Sequence, residues 1–225
     1  MIHTARRFAF ALAIAFRLAA PAGAAAADSP YPAQAGPEIF AGGADGGFLD
    51  LFRALAAQGS VRSDFVEYRW FPFRTAPVVL RGEMRFSREL GLSLHYTKPQ
   101  ESIVIADSAG LILRDATGRS REVHPDERVP DLGGTLAPVL RFDEKELFQG
   151  FRVRGARSGN AWRIDFTPRA AEVSRWVGTI IVEGTGESVS RIELHRSSTQ
   201  RIEIQIESSA TGVAFGPDER RRFFR

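Results

Sequence analysis

The chain contains no cysteine, and only two of its 30 cationic side chains, Lys98 and Lys145, are lysines. Without cysteine there can be no disulfide, no thiolate metal site and no lipid anchor of the bacterial lipobox kind, so the fold rests on its core alone. The sequence also lacks a G-x-S-x-G elbow, a P-loop, a dinucleotide fingerprint and an H-E-x-x-H pair, which removes the commonest signatures of nucleophilic, phosphoryl-transfer, nicotinamide and zinc chemistry. His3, His95, His124 and His195 each stand alone, with no second ligand at metal spacing, and read as solvated or structural side chains. Carboxylates fall mostly on the polar parity of strands, and no pair is singled out as acid and base. These absences predict no catalysed reaction, no metal and no cofactor. A hydrolase assembled from residues scattered along the chain is the alternative that spacing leaves open.

Charge of one sign is lacking too. The formal net charge is +3, and Arg6, Arg7 and Arg17 near the start account for it, since no acidic residue stands among them. The remainder is near neutral, with no basic patch, which argues against a nucleic-acid partner. Those arginines belong to a leader-like pattern. Arg6 and Arg7 precede an apolar run, Phe8 to Phe16, and a small-residue stretch, Pro21 to Ala27, that offers A-x-A cleavage options before Asp28. A membrane anchor needs about 20 apolar residues, and Arg17 interrupts this run. Residues 1–27 therefore read as a cleavable signal peptide on the ordinary export route, and the exported product as a free, soluble monomer in an oxidising compartment.

Residues 28–47 are dense in Pro, Gly and Ala and read as a flexible arm contributing no core. Residues 48–225 read as one domain. Its first element is a short amphipathic helix, with Phe48, Leu51, Phe52 and Leu55 at spacings of three and four before Gly59. Period-two alternation follows. Phe65, Glu67 and Arg69 alternate with Val66, Tyr68 and Trp70, so both faces carry large side chains. Leu80, Met84 and Phe86 then oppose Arg81, Glu83 and Arg85, and Leu90, Leu92, Leu94 and Tyr96 oppose Gly91, Ser93, His95 and Thr97. Lys98-Pro99 ends that strand, and Asp107 to Gly110 supplies the next turn. Further strands are legible at 119–124, 151–155, 161–166, 177–183, 189–195 and 201–207, the last with Ile202, Ile204 and Ile206 on one parity.

Between these groups, 130–141 and 143–148 offer two short helical pieces broken by glycines and a proline. They read either as a mobile apolar lid or as a loop with a helical turn. The Arg-rich tail, Glu219 to Arg225, either packs back through Phe223 and Phe224 or stays loose. The fold class expected is mainly β (α+β): an antiparallel meander of about ten or eleven strands with few short helices, one face of which is apolar. A row such as Leu90, Leu92, Leu94 and Tyr96 is costly to leave wet, at roughly 1.5 to 3 kcal/mol per large side chain. Either helices cover that face or a ligand does.

Phe65-x-Glu67, Gly82-Glu83-Met84, Arg88, Leu92 to Tyr96, Pro99 to Ile103, Asp107 and the run Trp162 to Pro168 resemble the bacterial periplasmic outer-membrane lipoprotein carriers (LolA), and Phe65-x-Glu67-x-Arg69 looks closer to their LolA-related branch. The resemblance implies an unclosed antiparallel half-barrel with a helical lid over a hydrophobic cavity. It implies a carrier rather than an enzyme, with an acylated lipoprotein, or a lipid or glycolipid, as cargo, an inner-membrane exporter as donor and an outer-membrane acceptor. By that reading the cavity is lined by Leu80, Met84, Phe86, Leu90, Leu92, Leu94, Tyr96, Ile103 and Ile105, and the lid by Leu136, Val139 and Leu140. Arg88 matches the family's arginine that holds the lid, although Glu89 stands where the family has proline. An envelope scaffold whose half-barrel is filled by its own side chains is the competing expectation.

Overall fold

The computed structural model describes residues 29–40, 46–123 and 132–225. The expected signal peptide, residues 41–45, and the segment 124–131 with His124 lie outside the described residues. The described chain opens with β1 (Glu38–Ile39), α1 (Phe48–Ala57), β2 (Val61–Trp70), β3 (Val78–Ser87), β4 (Gly91–Lys98), β5 (Ser102–Asp107), β6 (Gly110–Asp115) and β7 (Ser120–Val123). Two helices follow, α2 (Leu132–Arg141) and α3 (Glu144–Gly150), then β8 (Phe151–Ser158), β9 (Ala161–Pro168), α4 (Ala171–Val177), β10 (Thr179–Thr185), β11 (Ser188–Ser197), β12 (Gln200–Thr211) and α5 (Pro217–Phe223).

All the strands belong to one 12-stranded antiparallel sheet in the order β1-β8-β9-β10-β11-β12-β2-β3-β4-β5-β6-β7. Neighbours in the sheet are consecutive in sequence except at β1–β8 and at β12–β2, where the last described strand returns to the first long one. Trp70 to Val61 on β2 run against Arg201 to Thr211 on β12, so two meanders become one continuous surface. The outermost strands, β1 and β7, do not pair with each other, so the sheet is not closed into a barrel.

Alternation allots side chains to the two faces. Phe65 lies opposite Gly82, Met84 opposite Leu94, Leu94 opposite Val104, and Ile206 opposite Phe65, which carries one apolar face across five strands. The same face continues through Ile192, Val182 and Ile164 on β11, β10 and β9. It is the face on which α1 packs: Phe48, Leu51, Phe52 and Leu55 bury against Val153, Trp162, Ile164 and Phe166. Gly155 makes this approach possible, because a Cβ there would lie 2.6 Å from the Phe48 ring. The rotation from α2 into α3 passes through Phe142, a non-glycine at φ 49. That costly backbone region is held by packing, since the Phe142 ring sits 6.0 Å from Phe52 within the same core. Asp143 then caps α3 by accepting from the Glu146 N–H at 3.2 Å.

Several expectations need correction. The arm does contribute core: Glu38–Ile39 forms β1 on the edge of β8, and Ile39 is buried. The Gly/Pro-rich composition around it concealed a two-residue strand too short to show any periodicity. Helices α4 and α5 add to the expected short helices; each is only seven residues, too short for its periodicity to show in the sequence. The tail packs back. Phe215, Phe223 and Phe224 bury against Ile103, Ile105 and Ile112, and Arg85 lies 3.7 Å from the centre of the Phe223 ring. This second core lies on the opposite face of the sheet from α1.

Candidate functional site

The apolar face divides into a filled half and an open half. Under α1, on β8 to β10, the side chains are buried. Across β11, β12 and β2 to β5, Ile192, Ile202, Ile206, Leu80, Leu92, Leu94 and Val104 are only half-buried and surround a smaller core of Phe65, Met84, Tyr96 and Ile204. Phe86, opposite Leu92, is half-buried on the same face. The structure therefore brings Leu80, Met84, Phe86, Leu92, Leu94 and Tyr96 together in one apolar strip on a single face of the sheet.

It does not bring Ile103, Ile105 and Leu90 there. Ile103 pairs with His95 and Ile105 with Ser93, the polar parity of β4, and both isoleucines are buried beneath the tail on the other face. Leu90 precedes β4 and joins that same cluster. The error has a physical origin: β5 is apolar on both parities, so alternation could not say which of its residues follow Leu94. Register answers it, and Val104 takes the inward position.

Helix α2 lies over the β5–β6 end of the strip and touches α3. Val139 is buried in the helix-side core, Leu136 packs against that core, and Leu140 is half-buried. The helix is intrinsically weak, because Gly133 and Gly134 each cost about 1 kcal/mol relative to alanine and Pro138 cannot donate a backbone hydrogen bond. Tertiary contacts hold it in place. One of them is Arg88, at the β3–β4 turn, whose Nη2 donates to the backbone carbonyl of Arg141 at 3.2 Å. Arg141 is the last residue of α2, where carbonyls lack helical partners, so a guanidinium there also meets the negative end of the helix dipole.

Glu67 and Arg69 stand on β2 and Tyr96 on β4, and nothing in the sequence joins the three. On the apolar face they form a closed polar triad: Arg69 donates to Glu67 through Nε, Arg69 Nη2 donates to the Tyr96 hydroxyl at 3.1 Å, and that hydroxyl donates to Glu67 Oε2 at 2.6 Å. All three residues are at most 4% exposed. Burial, together with the Glu67 carboxylate alongside, pushes the Tyr96 hydroxyl well above its ordinary pKa. Burial works against the Arg69 charge, but Glu67 and Tyr96 outweigh it and hold the guanidinium above its usual value. Gly82 sits between Phe65 and Tyr96 in register, and the two rings meet edge to face at 5.6 Å. A Cβ on Gly82 would come within 2.2 Å of the His95 carbonyl. Sequence shows only that Glu67 and Arg69 share the parity of Phe65; alternation does not mark that face as inward, because Val66, Tyr68 and Trp70 make the other parity the more apolar one, and register decides it.

Among the described residues no group of His, Asp or Glu could hold a metal ion. His95 is buried, its Nε2 3.1 Å from Glu101, beside the Phe223 ring on the outer face. His195 lies on that same outer face, opposite Arg201. Among the described residues no helix is long and apolar enough to cross a membrane.

Comparison with known proteins gives a family. The model for outer membrane lipoprotein carrier protein LolA-like proteins matches residues 45–214. Among solved structures, a LolA superfamily protein from Nitrosomonas europaea is 9% identical with a TM-score of 0.43, covering 76% of this chain and 96% of its own. A putative outer membrane lipoprotein-sorting protein domain from Vibrio parahaemolyticus is 7% identical with a TM-score of 0.39, covering 76% and 94%. The Pseudomonas aeruginosa MucA/MucB complex is 17% identical with a TM-score of 0.42, covering 76% and 59%. Comparison with curated protein sequences gives no match. With its family match spanning most of the chain and its unclosed antiparallel sheet carrying one apolar face, the chain belongs to the LolA-like outer membrane lipoprotein carrier family.

Proposed function

We propose that this protein is a periplasmic carrier that binds acyl chains of a lipoprotein, lipid or glycolipid along the strip formed by Leu80, Met84, Phe86, Leu92, Leu94 and Tyr96, and moves them toward the outer membrane. It takes cargo from an inner-membrane exporter and passes it to an outer-membrane acceptor, catalysing no reaction. The observation that carries this reading is the half-buried apolar surface left beside the buried core under α1. An acyl chain gains about 0.8 kcal/mol per methylene taken out of water, so a 16-carbon chain brings on the order of ten kcal/mol. That is enough to hold a lipid in transit.

Residues 1–27 supply export. Helix α2 is the lid, presenting Leu136, Val139 and Leu140, and Arg88 is its latch at the C-terminal carbonyl. The triad of Glu67, Arg69 and Tyr96 is already satisfied internally, so it adds a rigid polar wall to the strip without demanding a ligand.

The test is native mass spectrometry of protein recovered from its own periplasm, with organic extraction of whatever is bound. A triacylated peptide or an intact lipoprotein identifies a lipoprotein carrier, and a glycolipid or free lipid identifies a lipid carrier working through the same strip. Protein that carries nothing and takes up no fluorescent fatty acid refutes the carrier reading in favour of a self-filled envelope scaffold.

A further inference from the structure

The β2–β3 connection is a solvent-facing aromatic tip. Phe71-Pro72-Phe73-Arg74 closes a turn in which the Arg74 N–H donates to the Phe71 carbonyl at 3.1 Å, with proline at the position that turns of this kind favour. The Phe71 and Phe73 rings stack at 5.4 Å with an interplanar angle of 22°, and Phe73 is 77% exposed, the most exposed large apolar side chain of the described residues. Behind the tip, Tyr68 and Trp70 lie 5.8 Å apart on the outer face, and Val79, opposite Tyr68, is 39% exposed. The tip is thus apolar and braced rather than a loose loop.

Its surroundings are cationic. Arg201 pairs with Trp70 across β12–β2 and stacks on its ring at 4.0 Å, which places the β11–β12 turn beside the tip. Arg196 enters that turn and donates to the Arg175 carbonyl on α4 at 2.8 Å. No carboxylate occurs between Glu67 and Glu83, or between Glu193 and Glu203, so both turns carry only positive charge. The acidic residues of this rim stand on other loops: Glu101 is paired with Arg222, Asp115 is bonded within its own turn, and Glu172 lies on α4.

We propose that this rim is a membrane-docking surface, in which Phe71 and Phe73 enter the interface of an anionic bilayer while Arg74, Arg196 and Arg201 meet its headgroups. Aromatic rings favour the headgroup level, and arginines next to them are attracted by a negative surface. Docking here rests on charge complementarity with an apolar wedge and is independent of what the apolar strip carries. The carrier would then reach the bilayer by its own contact as well as through partner proteins.

The cysteine-free chain allows a direct test. A single Thr75→Cys variant, labelled with an environment-sensitive fluorophore, is mixed with vesicles of phosphatidylglycerol and phosphatidylcholine, or of phosphatidylcholine alone. A Ser108→Cys variant, labelled in the β5–β6 turn at the opposite rim, is the control. The expected result is a blue shift and quenching by lipid-borne quencher for the Thr75 label only, with anionic vesicles only, fading as salt rises. Adding Phe71→Ser with Phe73→Ser, or Arg74→Glu with Arg201→Glu, lowers the anionic-vesicle partition by roughly tenfold or more, while binding of a fluorescent fatty acid is unchanged. No shift at Thr75 with anionic vesicles, an equal shift at Ser108, or partition indifferent to both double variants overturns the proposal. Loss of fatty-acid uptake by the unmodified chain would instead count against the carrier reading.

Discussion

Replacing Arg88 by leucine removes one hydrogen bond from a charged donor to the last carbonyl of α2, made at 3.2 Å on an exposed part of the surface. A buried bond of this type is worth more, but solvent exposure brings the expected loss to about 0.5 to 1 kcal/mol. Applied to the opening of α2 alone, that raises its open population by a factor of roughly two to five. Applied to the whole fold, it lowers the melting temperature by only a few degrees for a domain of this size. The two consequences separate cleanly by hydrogen exchange. Amides of residues 136, 137 and 139–141 should exchange about two to five times faster in Arg88→Leu, while those of β9 and β10 keep their protection. Release of a fluorescent acyl probe should accelerate by the same factor. Lysine at this position should restore part of the effect, since it keeps the charge at the helix terminus but loses the planar fork. Equal exchange of α2 in the variant and the parent, with unchanged probe release, would show that Arg88 does not hold the lid.

Tyr96→Phe removes the hydroxyl shared by Glu67 and Arg69 and should cost about 1 to 3 kcal/mol in denaturant unfolding. Because burial raises the Tyr96 pKa in the folded protein, the contribution of this group is complete below the ordinary tyrosine value and is lost as pH rises through the folded one; stability of the parent should therefore fall above about pH 10, more steeply than that of Tyr96→Phe. Arg69→Met strands a buried carboxylate and should cost about 3 to 5 kcal/mol, whereas Arg69→Met combined with Glu67→Leu should recover much of the loss, as a double-mutant cycle would measure. Ile105→Ala, under the tail, should destabilise by about 2 to 5 kcal/mol without changing affinity for an acyl probe once folded, whereas Leu94→Trp should reduce probe uptake at nearly parental stability. Gly155→Val, with its Cβ driven into Phe48, should loosen α1 and appear as lost near-ultraviolet dichroism and a lower melting temperature.

Strand content and the inner apolar face were legible because β3, β4 and β12 alternate cleanly, each residue falling to one side. Arg88 was legible only through resemblance, since an arginine in a turn carries no periodic signal of its own. What alternation could not supply was the allotment of β5. Ile103, Val104 and Ile105 are all aliphatic, and only the pairing of Leu94 with Val104 shows that the isoleucines turn away. The tail made the same point from the other direction. An apolar parity on the outer face looks like an error until Phe215, Phe223 and Phe224 arrive from far along the chain to cover it.

The two faces of β4 and β5 therefore have different fates, and the difference bears on function. On the outer face the tail fills the apolar ground completely: Ile105 is 0% exposed and Phe224 1% exposed. On the inner face Leu92, Leu94 and Val104 stay half-buried, although α2 lies against the neighbouring part of the same sheet. A chain able to bury one side so thoroughly has the side chains to bury the other, and α1 does so over β8 to β10. Helix α2, with two glycines and a proline in its ten residues, is a poor choice for a permanent cover. Weak intrinsic helicity makes its position depend on a few contacts, Arg88 among them, so a ligand that contributes apolar contact can displace or reinforce it at small cost. On the proposed reading the unfilled strip and the weak helix beside it work together: a half-buried apolar surface next to a helix held by the buried Val139, the half-buried Leu136 and Leu140, and one hydrogen bond from Arg88.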